Sequence, residues 1–96
     1  MNYYIVGTRK EQNCSKVSEI QGYQVNTTKS SGGVYCKKSE FFSSHYNSHN
    51  KYESYNPNIG ITGAECEKKT SINGEDYLQT IGNGTSSDNL LKLPNV

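Results

Sequence analysis

Two histidines four residues apart, His45 and His49, are the first residues whose spacing suggests chemistry. On a helix they would share a face and could ligate one metal ion, with Cys36, Glu40, Glu53 or Cys66 as a third donor. The H-E-x-x-H pattern lacks its glutamate, because Tyr46, Asn47 and Ser48 stand between them. The expected state is therefore two histidines in a solvated loop, with no resident metal and no cofactor.

The three cysteines, Cys14, Cys36 and Cys66, raise nucleophilic chemistry. A thiolate needs a base or nearby positive charge, and Lys68 and Lys69 follow Cys66 closely. Yet Cys66 alternates with Ala64, which suits a small buried strand residue. No nucleophile elbow, paired carboxylate motif, phosphate loop or dinucleotide fingerprint occurs, and Gly82-Asn83-Gly84 reads as a turn. The chain is not expected to be an enzyme.

Binding chemistry has better candidates. Arg9-Lys10 and Lys68-Lys69 are the basic clusters. If the first and last hairpins lie side by side, these clusters and Tyr77 would suit a nucleotide or short nucleic acid. Phe42, Tyr46, Tyr52 and Tyr55, set among Ser, Asn and His, have the composition of a protein-contact surface, in which rigid aromatics sit among adaptable polar groups.

The totals bound these choices. With 96 residues and 31% hydrophobic content, one domain with a thin core is expected, 1–96, with flexible loops at 27–33 and 47–58. Eight Tyr and two Phe argue against disorder, because tyrosine supplies apolar area with a polar tip. A net charge of +1, from ten basic and nine acidic residues, excludes a broad basic face. No apolar run suggests a membrane span. The opening MNYYIVGTRK lacks the charged segment and cleavage site of a signal peptide and reads as a first strand. Three cysteines at irregular spacing fit a reducing compartment, so a cytoplasmic location is expected. The N-x-[ST] sequons at Asn13, Asn26 and Asn83 then carry no meaning.

The elements that must position these residues follow from local pattern. Tyr3 to Thr8 is dense in strand formers, and Val17 to Val25 marks a second strand region broken at Gly22, so the two form an antiparallel hairpin. Val34-Tyr35-Cys36 is a short apolar island. Ser39 looks like the N-cap of a helix running to about Asn47, with Phe42 and Tyr46 one turn apart. The segment 47–58 is polar and loop-like. The strand pattern from Ile59 slips by one residue near Gly63, which predicts a bulge. Asn73-Gly74 predicts a two-residue type I′ turn joining strands 64–72 and 76–81. After a break at Gly82-Asn83-Gly84, a turn starting at Ser87 or Asp88 delivers Leu90, Leu91 and Leu93 onto the sheet. A frayed tail would be polar, so these leucines predict docking. The fold class expected is α+β, with a twisted, mainly antiparallel sheet of four or five strands, one short helix and a docked tail.

Four stretches carry a resemblance: Tyr4-Ile5-Val6-Gly7-Thr8-Arg9-Lys10, Ile61-Thr62-Gly63, Asn73-Gly74-Glu75-Asp76-Tyr77-Leu78, and Ser87-Asp88-Asn89-Leu90-Leu91-Lys92-Leu93-Pro94. The chain resembles a family of short uncharacterised bacterial and phage proteins, a domain of unknown function. Its members pair an I-x-x-V-R-K strand with a G-x-x-Y-L…S-x-N-L-x-x-L-P signature. Two departures stand out: Gln79 replaces the usual Arg, and the middle, Thr27 to Asn58, is longer and more polar than the family's compact helix. The resemblance implies a small α+β domain and no activity. The expected function is a small non-catalytic intracellular binding protein, a phage- or bacterium-encoded inhibitor or adaptor with a protein partner. The alternative is the binder of a nucleotide or short nucleic acid.

Overall fold

A computed structural model describes residues 1–81 and 89–96. The glycine break at 82–84, the turn start at 87–88 and the sequon at Asn83 lie outside the described residues. The described residues form a sheet of six strands, one or two more than expected, in the order β3-β2-β1-β4-β5-β6. The strands are β1 (Asn2–Arg9), β2 (Gly22–Asn26), β3 (Val34–Lys37), β4 (Lys51–Asn56), β5 (Ile61–Thr70) and β6 (Asp76–Thr80). Every neighbouring pair is antiparallel except β1–β4, which is parallel. Among the described residues a single short α-helix, α1 (Lys38–Glu40), widens at once into a π-type turn (Phe41–His45). The domain is therefore α+β.

The first hairpin forms as expected, but Val17–Glu19 is a 3-10 turn and β2 starts at Gly22. Between Ile5 and Gly7 the β1–β2 register shifts, so Val6 is an extra residue. Such a bulge bends a strand and strengthens its twist. Ile5 and Thr8 thus share the inner face, opposite Val25 and Tyr23, and both are fully buried. On β5 the register slips between Thr62 and Glu65, which is the bulge predicted near Gly63.

The largest departure is β4, which occupies the stretch expected to be a loop. Its buried residues are Tyr52 and Ser54, alternating with Lys51 and Glu53. A period of two is present, but one inward residue is a serine and the other a tyrosine, so the stretch reads as polar.

The β5–β6 hairpin turns where Asn73-Gly74 predicted, by another geometry. Only Gly74 has positive φ, +82°; Asn73 does not. The Gly74 N–H donates to the Ser71 carbonyl at 2.9 Å, and the Ser71 N–H donates to the Glu75 carbonyl at 2.9 Å. This is a three-residue connection ending in a left-handed glycine, not a type I′ turn.

The helix starts two residues early, with Lys37 and not Ser39 at the N-cap position, and ends at His45. The Tyr46 N–H closes the wide turn on the Phe41 carbonyl at 2.7 Å. Phe41, not Phe42, is the fully buried aromatic; Phe42 and Tyr46 do touch, with ring centroids 5.5 Å apart.

The tail docks. Asn89–Lys92 is a 3-10 turn, and Leu90 and Leu93 are buried in the main core with Ile5, Tyr23, Phe41, Tyr52 and Leu78. Beyond it, Asn95 bridges Thr8 in parallel. The Thr8 N–H donates to the Pro94 carbonyl and the Val96 N–H to the Thr8 carbonyl, each at 3.0 Å. β4 pairs with β1 only as far as Ile5, so the tail occupies the place beside β1 that β4 leaves.

Open sheet edge and adjoining groove

The sheet curls enough for its two ends to meet. The Tyr23 hydroxyl, on β2, accepts the Leu78 N–H of β6 at 3.0 Å. That N–H belongs to an edge strand and would otherwise be buried without a strand partner. The 3-10 turn Val17–Glu19 packs on the same strand. Lys38 completes the closure: it is mostly buried, donates to the Ser18 carbonyl at 2.8 Å and forms an ion pair with Glu75. The β6 edge is therefore covered.

The β3 edge is not. The Lys38 N–H donates to the Gln21 carbonyl at 2.9 Å, which sets the phase of the β2–β3 ladder. Pairs 36/23 and 34/25 exchange main-chain bonds with β2, so the main-chain groups of Tyr35 and Lys37 face outward. Among the described residues nothing pairs with that edge, and Val34 is 67% exposed. Beside it lies a groove of about 870 Å³, lined by Arg9, Gln21, Tyr35, Lys37, Lys38, Ser39 and Phe42 and, across from them, Glu19, Glu75 and Asp76. The Arg9 guanidinium lies 4.4 Å from the Tyr35 ring centroid. Tyr35 in turn covers Gly22, where a Cβ would collide with its ring.

The expected protein-contact residues divide between two faces. Tyr52 is 1% exposed and stacks on Tyr3 and Tyr46, at centroid distances of 5.4 and 5.3 Å. Its hydroxyl donates to the His45 carbonyl at 3.0 Å and accepts the Asn47 N–H at 3.2 Å. It is a core brick that no partner touches without opening the domain. Phe42 and Tyr46 are half-buried, and Phe42 lines the groove. Tyr55 sits on the outer face, edge-on to Tyr4 at 6.5 Å.

The alternative set is likewise not one patch. Arg9 holds the tail, its Nε donating to the Val96 main-chain oxygen at 2.7 Å. Lys10 turns inward, donating to the Thr8 hydroxyl and to the Leu93 carbonyl. Burial holds its pKa below the usual lysine value, with the neighbouring Cys14 acting weakly the other way. Lys68 lies over the Tyr46 ring, 5.9 Å from its centroid, and Lys69 pairs with Glu67 at 3.1 Å. Tyr77 is half-buried opposite Lys69.

The histidines part as well. His45 is wedged among aromatics, stacked on Phe41 and edge-on to Tyr3, and burial lowers its pKa. His49 is exposed on the turn before β4. Among the described residues no three His, Cys, Asp or Glu side chains gather to hold a metal. No disulfide joins the cysteines. Burial raises the Cys36 thiol pKa, with Glu40 adding to the effect, which disfavours the reactive thiolate.

Sequence reasoning passed over Tyr35, Lys37 and Lys38. The signal available was the alternation of Val34 to Lys37, a four-residue strand directly abutting a helix start.

The described residues form a small α+β domain, a curled six-stranded sheet covered along β6 and unpaired along β3. Over residues 4–94 the sequence matches the family described as Protein of unknown function (DUF3892), and the chain belongs to that family. No curated protein and no solved structure matches it. Among the described residues no helix is long and apolar enough to cross a membrane.

Proposed function

We propose that the protein is a non-catalytic binding module that takes an extended segment of a partner protein along β3, acting as a small inhibitor or adaptor on a host protein. The observation that carries this reading is the asymmetry of the sheet edges. An unpaired edge is a template for another strand, and proteins usually blunt or cover it. Here β6 is covered by the Tyr23 hydroxyl and the 3-10 turn, while among the described residues β3 has no further strand beside it and borders a groove. Strand addition draws affinity from main-chain hydrogen bonds and specificity from neighbouring pockets. Tyr35, Lys37 and Phe42 would line those pockets.

Lys37 offers a clean test. Its φ is −59° and its ψ 151°, values that proline adopts without strain. Its N–H faces the open edge, so Lys37→Pro removes an outward donor and no bond to β2. Lys37→Ala removes the charge alone. A partner co-purifying with the parent protein and with Lys37→Ala, but lost from Lys37→Pro, is the expected result. Equal retention by both variants would end the edge reading.

The second reading, a nucleotide or short nucleic acid binder, is favoured by the Arg9 guanidinium over Tyr35 with Lys37 nearby. Phosphate binding would weaken steeply with salt, and Lys37→Pro would weaken it no more than Lys37→Ala.

A further inference from the structure

Among the described residues, cations without an ion-pair partner stand on the outer face beside the open edge, while the groove around the end of β3 also carries Glu19, Glu75 and Asp76. On the outer face, Arg9 lies over Tyr35, and Lys29, in the connector between β2 and β3, lies 5.7 Å from the Tyr4 ring centroid. Lys37 stands exposed at the end of β3. Among the described residues no side-chain carboxylate pairs with Arg9, Lys29 or Lys37; the ion pairs present engage Lys38, Lys51 and Lys69. Across the sheet, the outer face of β4 and β5 carries Glu53, Glu65 and Glu67, of which Glu53 and Glu65 stand opposite each other. Those glutamates are answered by Lys51 and Lys69 on the same face, so among the described residues the outer face holds unpaired cations beside the open edge and paired charges away from it.

Resting on the reading above, we infer that the segment taken up by β3 is acidic: an extended peptide whose alternate side chains carry carboxylates toward Arg9, Lys29 and Lys37. A strand added beyond β3 continues the alternation of faces. Every second side chain then lies on the face that holds Tyr35 and Lys37. Carboxylates there meet cations that have no acidic partner of their own, whereas a second copy of this chain would set Lys37 near its like. Such complementarity selects the partner and speeds encounter more than it adds affinity.

The test uses two end-capped, fluorescently labelled peptides, Glu-Val-Glu-Val-Glu-Val-Glu and its Lys-Val counterpart. Binding is read by anisotropy at several salt concentrations and by the amide NMR signals of Tyr35 and Lys37. The acidic peptide should bind, shift both amides and lose affinity with salt, and the lysine peptide should not. Lys29→Glu/Lys37→Glu should weaken binding about tenfold or more; Arg9 is left alone because it holds the tail. Equal binding of both peptides, or no effect of the charge reversal, overturns the acidic preference. The edge itself would survive that result if Lys37→Pro still weakened binding more than Lys37→Ala. Binding that leaves both amides unmoved and is indifferent to Lys37→Pro overturns the edge reading too. So does the absence of binding by either peptide.

Discussion

Leu90→Ala should cost the domain a large part of its stability. Leu90 is fully buried in the main core, and its carbonyl accepts the buried Thr8 hydroxyl at 3.3 Å. Truncating a buried leucine to alanine costs about 2–5 kcal/mol, the lost transfer energy plus the cavity left behind. A chain of this length has roughly 5–14 kcal/mol in total. At about 4–8 °C per kcal/mol for domains of this size, a loss near 3 kcal/mol lowers Tm by roughly 12–24 °C. The control is Leu91→Ala on the same turn, where the leucine is half-buried and packs only against the margin of the core; its loss should be less than half as large. Thermal melting by circular dichroism and urea unfolding measure both. The midpoint in urea should drop with the slope unchanged, because the variant unfolds the same surface. A Leu90→Ala protein that melts within about 3 °C of the parent, or no lower than Leu91→Ala, would refute the docked tail as a structural member.

Other expectations are as direct. Tyr23→Phe leaves the Leu78 N–H buried without its acceptor and should cost about 1–3 kcal/mol in urea unfolding, with faster amide exchange at Leu78. Gly33 has φ +109° and its added Cβ would strike the Val25 main chain, whereas Gly74 has φ +82° and open space. Gly74→Ala should therefore cost only about 1–2 kcal/mol, and Gly33→Ala clearly more, by the same measurement. For His45, burial holds the folded pKa below the ordinary value near 6.5. The unfolded chain then binds the proton first as pH falls, so stability is lost below about pH 6.5 and down to the folded pKa. His45→Gln should flatten that limb of a stability-against-pH curve.

Some of this fold could be read from residues and some could not. β1, the β5–β6 hairpin, the bulge near Gly63 and the docking of Leu90 and Leu93 each have a local cause: β-branched density, a glycine at a turn, a slip in alternation, apolar residues in a polar tail. The type of the hairpin turn escaped because Asn73-Gly74 serves two geometries, and the choice depends on how Ser71 and Glu75 pair. β4 escaped because its inner face is Tyr52 and Ser54, and its parallel pairing with β1 joins residues 49 positions apart, such as Tyr3 and Tyr52. The contact residues were misgrouped for a related cause. Tyr52 and Tyr55 lie three apart on one strand and so point to opposite faces, and Tyr52 fills a core too poor in aliphatic residues to close without it. Nothing local marks Lys37 as an edge residue; only the strand order does.

The position of β1 has a kinetic consequence. Among the described residues it pairs with β2 on one side, and on the other with β4 near its start and with Asn95 near its end. β1 thus gains its last neighbour only when the residues around Asn95, far along the chain from Thr8, are in place. Loop closure over such separations comes before the contacts that reward it, so folding should be slow for a chain of this size. Until then the flank of Thr8 stays unpaired, and a growing or truncated chain exposes the strand that the finished domain holds at its centre. Chaperone dependence and aggregation in this protein would therefore be governed by its last turn, however sound the rest of the sheet.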